Sequence, residues 1–285
     1  MRWSYRMGKL AGIDVYVHLT FLLLLAWIGL SRLFSGQGVA GATLSVLLVV
    51  MVFGIVVLHE LGHALAARHY GIPTRDITLL PIGGVARLAR MPERPLQEFV
   101  VAAAGPAVNL VLACLGALGL FVSAGLQASL PVMLVAEFVE WFVIANLVLL
   151  LFNLVPAFPM DGGRILRALL AVRLPYLKAT EIAVKVARVL AVGLGMYGLF
   201  NSPMLVLIAV FVWMGGGAEL AMVRQRFQPA PAWGPGVPPF AGTPGMPGGP
   251  VLLVPGPSGW RAVRIPTPPT SVQPSPPSVR IVDIR

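Results

Sequence analysis

Six long apolar runs, one after another, set the limits on what this chain can fold into. They cover approximately residues 17–30, 40–67, 99–124, 132–152, 182–200 and 204–223. A helix needs roughly 20 mostly apolar residues to cross about 30 Å of hydrocarbon, and most of these runs approach that length. The first is short, although Tyr16 and Leu33-Phe34 can extend it. Their number excludes a lone anchor or a cleaved signal peptide. Only 11% of the 285 residues are charged and 57% are hydrophobic, whereas a soluble domain carries roughly 25% charged residues. The expected fold is an all-α polytopic membrane protein with about six transmembrane helices.

The formal charge of +10 does not mark a nucleic-acid binder, because the basic residues lie in the connections between apolar runs. Lys and Arg collect on the cytoplasmic side of a membrane protein. Arg2, Arg6 and Lys9, the segments 68–94 and 164–178, and the stretch after Arg224 are basic. Residues 31–39 carry only Arg32, while 123–131 and 201–203 carry no Lys or Arg. This alternation predicts a multi-pass protein of the cell membrane with both termini in the cytoplasm and the lipid bilayer as its surroundings. No nucleic-acid partner is expected. The single Cys114 lies in an apolar run, so one chain can form neither a disulfide nor a cysteine metal cluster.

Residues 1–228 are read as the membrane core and 229–285 as a tail. The tail holds 16 of the 26 prolines, with runs such as Pro274-Ser275-Pro276-Pro277. Proline removes backbone donors and fixes φ, so a disordered cytoplasmic segment of extended character is expected, serving as a linker or a docking segment for a partner the sequence does not name.

Chemistry enters with His59-Glu60-Leu61-Gly62-His63 in the second run. On a helix, residues i and i+4 share one face, so both imidazoles can reach one metal ion. The glutamate is then placed to take a proton from water that zinc acidifies to a pKa of about 7. A central acidic residue costs about 2.5–3.5 kcal/mol to insert, so a polar trio in an apolar segment calls for a functional reason. The plainer reading is a hydrogen-bonded cluster that packs helices.

Catalytic zinc takes a third protein ligand and keeps an open position. Asp161 is the candidate, at the end of Asn153-Leu154-Val155-Pro156-Ala157-Phe158-Pro159-Met160-Asp161-Gly162-Gly163. Its prolines and glycines predict irregular backbone around the carboxylate, which at membrane depth must be buried in protein or face water. In the six-crossing arrangement His59, His63 and Asp161 fall in the same leaflet. Between helices two and three, Thr74 to Leu80 and Val85 to Leu88 flank Pro81-Ile82-Gly83-Gly84 as a small β-hairpin at the membrane surface. A free strand edge there could hold an unwound substrate by strand addition; the alternative is a surface loop without that role.

These motifs resemble the site-2 protease family of intramembrane zinc metalloproteases. The likeness extends to Gly12-Ile13-Asp14-Val15 with His18, to Leu79-Leu80-Pro81-Ile82-Gly83-Gly84, and to Ala104-Gly105-Pro106-Ala107-Val108-Asn109, covering roughly residues 10–225. It implies one Zn2+ held by His59, His63 and Asp161, with Glu60 activating water. The implied reaction is hydrolysis of a peptide bond in or beside the transmembrane helix of a single-span substrate, as in regulated intramembrane proteolysis. An anti-sigma factor, a transcription factor precursor or a signal-peptide remnant are the implied substrate types. Asn153 would position substrate or stabilise the oxyanion, or else satisfy backbone groups freed at the broken helix. The expected type is the six-helix one without PDZ or nucleotide-sensing cystathionine-β-synthase modules, since no connection is long enough for the former and the tail is too short for the latter.

Gly105-Pro106 is expected to interrupt the third helix, either as a kink near the site or as small-residue packing, with Asn109 on an interior face. His18 and His69 read as hydrogen-bonded interfacial groups rather than ligands. A metal-ion transporter and a catalytically inactive scaffold are the rival functions.

Overall fold

The computed structural model describes residues 3–81, 83–90, 92, 94–124, 129–227, 251–256 and 259–264. They fall into two units, Met1–Gln228 and Pro229–Arg285. The first unit opens with strands β1 (Ser4–Leu10) and β2 (Ile13–His18), followed by α1 (Leu19–Phe34) and α2 (Gly38–His69). Strands β3 (Thr74–Leu80) and β4 (Gly83–Leu88) come next. Helices α3 (Pro95–Ser123), α4 (Leu130–Leu154), α5 (Asp161–Ala171), α6 (Tyr176–Asn201) and α7 (Pro203–Phe227) complete it.

Five helices are long and apolar enough to cross a membrane: α2, α3, α6, α7 and the Val132–Leu154 part of α4. Large apolar side chains such as Phe121, Leu151, Leu199 and Phe200 stand exposed on them, as they must where lipid rather than water is the solvent. This is a multi-pass membrane protein. The first run forms α1, which is apolar but only 16 residues long. It starts two residues later than the run read from the sequence, because Val17 and His18 belong to β2, where Val17 pairs with Leu79, and it continues to Phe34.

The small hairpin expected between helices two and three is larger in the structure. β3 and β4 do pair antiparallel, from Thr74↔Leu88 to Leu80↔Gly83, but they form half of a four-stranded sheet of order β1-β2-β3-β4. β1 and β2 are joined by a two-residue turn with Ala11 at φ 50 and Gly12 at φ 87, the left-handed geometry that matches strand twist in a tight hairpin. β2 and β3 are parallel, Asp14 opposite Asp76, with α1 and α2 as the crossover. Across β3 and β4, Arg87 donates two 2.7 Å bonds to Asp76; this partnership holds the guanidinium above its ordinary pKa.

The sheet lies against the C-terminal half of α2. Ile13, Ala64 and Ile77 pack together with Leu61 and Ala86, while Val17, Phe21 and Leu79 pack against Phe53, Val56 and Val57. On the other side α2 closely approaches α3, because a side chain at Gly62 would come within 2.8 Å of the Ala104 carbonyl oxygen. Small residues let membrane helices pack this tightly. The same device joins α6 to its neighbours through buried Ala179, Ala183, Ala187 and Ala191.

Two further expectations are corrected. α3 runs unbroken through Pro106; a proline inside a membrane helix is tolerated where neighbours satisfy the freed backbone groups. Asp161 is not in irregular backbone but opens α5, whose eleven residues the sequence reading treated as part of a connection. A carboxylate in the first turn is favoured by the exposed backbone N–H groups and the helix dipole.

In the second unit β5 (Val251–Gly256) and β6 (Gly259–Arg264) pair antiparallel, from Val251↔Arg264 to Gly256↔Gly259. The proline content of the tail conceals this hairpin. The remainder of the tail read as disordered, 229–250, 257–258 and 265–285, lies outside the described residues.

Candidate metal centre

His59 and His63 sit one helical turn apart on α2, with ring centroids separated by 4.7 Å and planes nearly perpendicular at 82°. Their Nε2 atoms are 3.1 Å apart, and each lies 3.1 Å from Oδ2 of Asp161. All three residues are buried. The opposite ring nitrogens are occupied: Nδ1 of His59 is 2.8 Å from Oδ1 of Asn109, and Nδ1 of His63 is 2.7 Å from the Val101 carbonyl oxygen. Both partners are acceptors, so each Nδ1 carries a proton and donates it, which leaves Nε2 as the ring atom able to offer a lone pair to a metal.

That tautomer tests whether the residues fit a metal. With the rings neutral, two lone pairs and a carboxylate oxygen face one another at 3.1 Å, an arrangement that a metal ion among them turns from repulsive to favourable. Tetrahedral zinc with bonds of about 2.0–2.1 Å spaces its ligand atoms by about 3.3 Å, close to the 3.1 Å found. Two imidazoles and a carboxylate are also a suitable donor set for zinc, with a position left open. Among the described residues, His59, His63 and Asp161 form the one group of three such ligands.

Three elements position this group. α2 supplies both imidazoles. α3 supplies Val101 and Asn109 as their orienting partners, and Gly105 between them leaves room for the rings: a Cβ there would lie 2.7 Å from His59 Nε2 and would collide with His63 Nε2. α5 supplies Asp161. The segment 155–160 folds back on the first turn of α5, where side chains at Gly162 and Gly163 would strike the carbonyls of Leu154 and Val155 and the Phe158 backbone nitrogen. Close approach, not a positive φ, explains this glycine pair.

Glu60 stands beside the group. Its Oε2 accepts a 3.0 Å hydrogen bond from the Ala86 backbone N–H on β4. The lack of a side chain at Gly84 gives Glu60 room, since a Cβ there would be 2.9 Å from its Cγ. Glu60, the three candidate ligands, residues 83–86 of β4, Asn153 and Arg164 line one cavity of about 370 Å³. Asn153 donates from Nδ2 to the Leu149 carbonyl at 3.0 Å, leaving its second Nδ2–H and its Oδ1 available. The structure thus brings together all five residues singled out in the sequence.

His18 caps α1 instead, its Nδ1 accepting from the Thr20 backbone N–H at 3.3 Å. His69 packs edge-on against Tyr70 at the end of α2. The sequence reading missed the Val101 carbonyl, the Ala86 N–H and Arg164 as parts of the site, and did not pair Asn109 with His59. An Asn four residues after Gly105, within the apolar stretch of α3 that follows Glu98, was the available signal.

Fold and site together define a polytopic membrane protein with a buried trio of metal donors beside a glutamate. Residues 47–132 and 125–194 match the model of peptidase family M50, and the chain belongs to that family. It is 39% identical over 229 residues to a zinc metalloprotease of Methanocaldococcus jannaschii, covering 79% of this chain and 62% of that one. It is 33% identical over 193 residues to stage IV sporulation protein FB of Bacillus subtilis, covering 67% and 60%. The chain therefore spans less than two thirds of the length of these curated relatives. The solved site-2 protease from Methanocaldococcus jannaschii superposes with a TM-score of 0.52 at 33% identity, over 76% of this chain and 95% of that one.

Proposed function

We propose that this protein is an intramembrane zinc metalloprotease of the site-2 type, hydrolysing a peptide bond in or near the transmembrane helix of a single-span membrane protein. One observation carries the reading: two Nε2 atoms and a carboxylate oxygen converge at 3.1 Å while both Nδ1 atoms are committed to other acceptors. In this reading His59, His63 and Asp161 hold the metal. Zinc, when bound, supplies a Lewis acid that polarises a carbonyl and acidifies water.

The remaining steps belong to the chain. Glu60 is the general base: the Ala86 N–H anchors Oε2, and the carboxylate takes a proton from the attacking water and returns it to the leaving amide nitrogen. The free Nδ2–H of Asn153, on the same cavity wall, donates to the oxygen on which charge develops. β4 is an edge of the sheet, and Ala86 directs its N–H at Glu60 rather than at β3. Alternation along the strand points Gly84 the same way. A substrate segment pulled out of its helix can therefore add to this edge, which presents its backbone to the metal centre in extended form.

The charge pattern supports cytoplasmic termini and a sheet at the cytoplasmic membrane surface. α1 then makes the sixth crossing, its 16 residues covering about 24 Å. Anti-sigma factors, transcription factor precursors and signal-peptide remnants are substrates of suitable form.

The test uses purified protein and a zinc-free background. Wild type should retain about one zinc per chain and cut a reconstituted single-span substrate. Glu60→Gln should keep the zinc and lose the cut. Undiminished cleavage by Glu60→Gln would reject the assignment.

A further inference from the structure

Arg167 is the largest fully buried side chain among the described residues. It lies on α5, six residues after Asp161. Its Nε donates to Glu98 Oε1 on α3 at 2.8 Å, its Nη2 donates to the same oxygen, and its Nη1 donates to Glu219 Oε1 on α7. The guanidinium also stacks over Phe158 at 5.1 Å and Tyr176 at 5.0 Å, and the Tyr176 hydroxyl donates to Glu98 at 3.4 Å. One side chain thus ties α5 to α3, α6, α7 and the segment before Asp161.

Burying such a cluster is costly, and apolar residues of like volume often hold a fold as well. The position of the cluster offers a reason for keeping it. Glu98, Val101, Gly105 and Asn109 follow one another on α3 at intervals of three or four residues, so they form one stripe. Val101 and Asn109 orient the two imidazoles, Gly105 makes room for them, and Glu98 grips Arg167. The stripe that sets the imidazoles is therefore also fastened to the helix that carries the carboxylate. On α5, Asp161 and Arg167 are about 9 Å apart along the axis, so any slide of α5 against α3 moves both together. Metal sites tolerate errors of about 0.2 Å in ligand position. Apolar contacts slide, whereas charge-assisted hydrogen bonds from a planar guanidinium fix distance and direction. From α7, Glu219 holds the far side of Arg167, and one turn earlier Gly215 receives Pro159, where a Cβ would lie 2.6 Å from Pro159 Cδ.

We propose that Arg167 is a positioning residue for the metal triad, holding α5 in register with α3 through Glu98 and with α7 through Glu219 so that Asp161 meets both imidazoles. The proposal rests on the metal-centre reading above.

Zinc affinity of purified full-length protein, measured by competition with a chromophoric chelator, separates this role from a purely structural one. Arg167→Met should weaken zinc binding about 10- to 100-fold, the range typical of residues that orient ligands. Arg167→Lys should fall between Met and wild type, because it keeps the charge and loses the fork. Replacing the metal with Co2+ should give wild type the intense visible bands of a four-coordinate site and Arg167→Met weaker, shifted ones. If the folded fraction of Arg167→Met melts earlier but keeps wild-type zinc affinity and the wild-type Co2+ spectrum, the proposal is overturned. Should Arg167→Met fail to fold, Glu219→Gln gives the readout: a several-fold loss of affinity supports the proposal and an unchanged affinity overturns it. His63→Ala separates the two levels of the argument. If wild type and His63→Ala bind zinc alike, the metal-centre reading itself fails.

Discussion

Replacing Gly105 by alanine adds a single methyl group to α3, and the structure places that methyl between the two imidazoles. Its carbon would lie 2.6 Å from His63 Cε1 and 2.7 Å from His59 Nε2, against an ordinary contact of about 3.5 Å. His59 must therefore retreat by about 0.8 Å and His63, whose Nε2 lies nearer still, by more, at least four times the 0.2 Å tolerance of a metal site. The rings cannot swing freely, because Asn109 and Val101 hold the far nitrogens. At least one imidazole should leave coordination range. The effect should exceed that of losing an orienting partner, so a zinc affinity loss of at least about 100-fold is expected, with about 1–3 kcal/mol of overpacking in stability. Gly119→Ala is the matched control, since a Cβ at that position on the same helix meets nothing within 4 Å. Both variants would be purified in detergent, titrated with zinc against a chelator and assayed on a single-span substrate. If Gly105→Ala binds zinc within threefold of wild type and cleaves normally, the reasoning about this site is wrong.

Two more perturbations address other parts of the site. Asn109→Leu leaves the buried His59 Nδ1–H without an acceptor, which should lower stability by about 1–3 kcal/mol and zinc affinity about 10- to 100-fold; a chelator titration of the purified variant reads this directly. Ala86→Pro removes the N–H that anchors Glu60 but should spare the β3–β4 ladder, because that N–H points to the open edge. It should keep full zinc content and lose a large part of the factor of about 10²–10⁴ that a positioned base supplies; equal turnover with and without the substitution in a steady-state cleavage assay would count against Glu60 being held by β4.

The candidate site was legible because its chemistry is written in side chains. His59, Glu60 and His63 share a helical face by spacing alone, and Asp161 could be matched to them because charge alternation put both segments in one leaflet. The supporting groups were not, since two of them are backbone atoms: the Val101 carbonyl and the Ala86 N–H belong to residues whose side chains announce nothing. Of the two readings of Gly105-Pro106, a kink or small-residue packing, the second is the nearer, since the absence of a side chain at Gly105 leaves space for the two rings. The long helices followed from apolar length. β1 and β2 did not, because their turn uses Ala11-Gly12 instead of an Asn-Gly or Asp-Gly pair, and because the partner of β2 lies some 60 residues away beyond two helices. α5 was hidden for a related reason. It is amphipathic and too short to span a membrane, so a search for apolar runs passes over it.

The structure also bears on the two rival functions. A metal-ion carrier needs polar groups distributed through the membrane and ligands that can exchange partners along a path. On α2 the buried residues ahead of His59 are Ala42 and Ile55, so the first two thirds of the helix offers an ion nothing among its buried side chains. The imidazoles themselves are anchored by buried hydrogen bonds at both Nδ1 atoms, which favours one fixed coordination geometry over stepwise transfer. An inactive scaffold would need the metal ligands at most, and it gives no reason for a glutamate held by a strand edge inside the same cavity. In a low-dielectric interior a charged carboxylate beside Asp161 is repelled, a repulsion that a cation held by the three ligands would offset. The three candidate ligands, Glu60 and residues 83–86 of the edge strand line one cavity of about 370 Å³, an arrangement that the proposed hydrolysis uses in full and neither rival does.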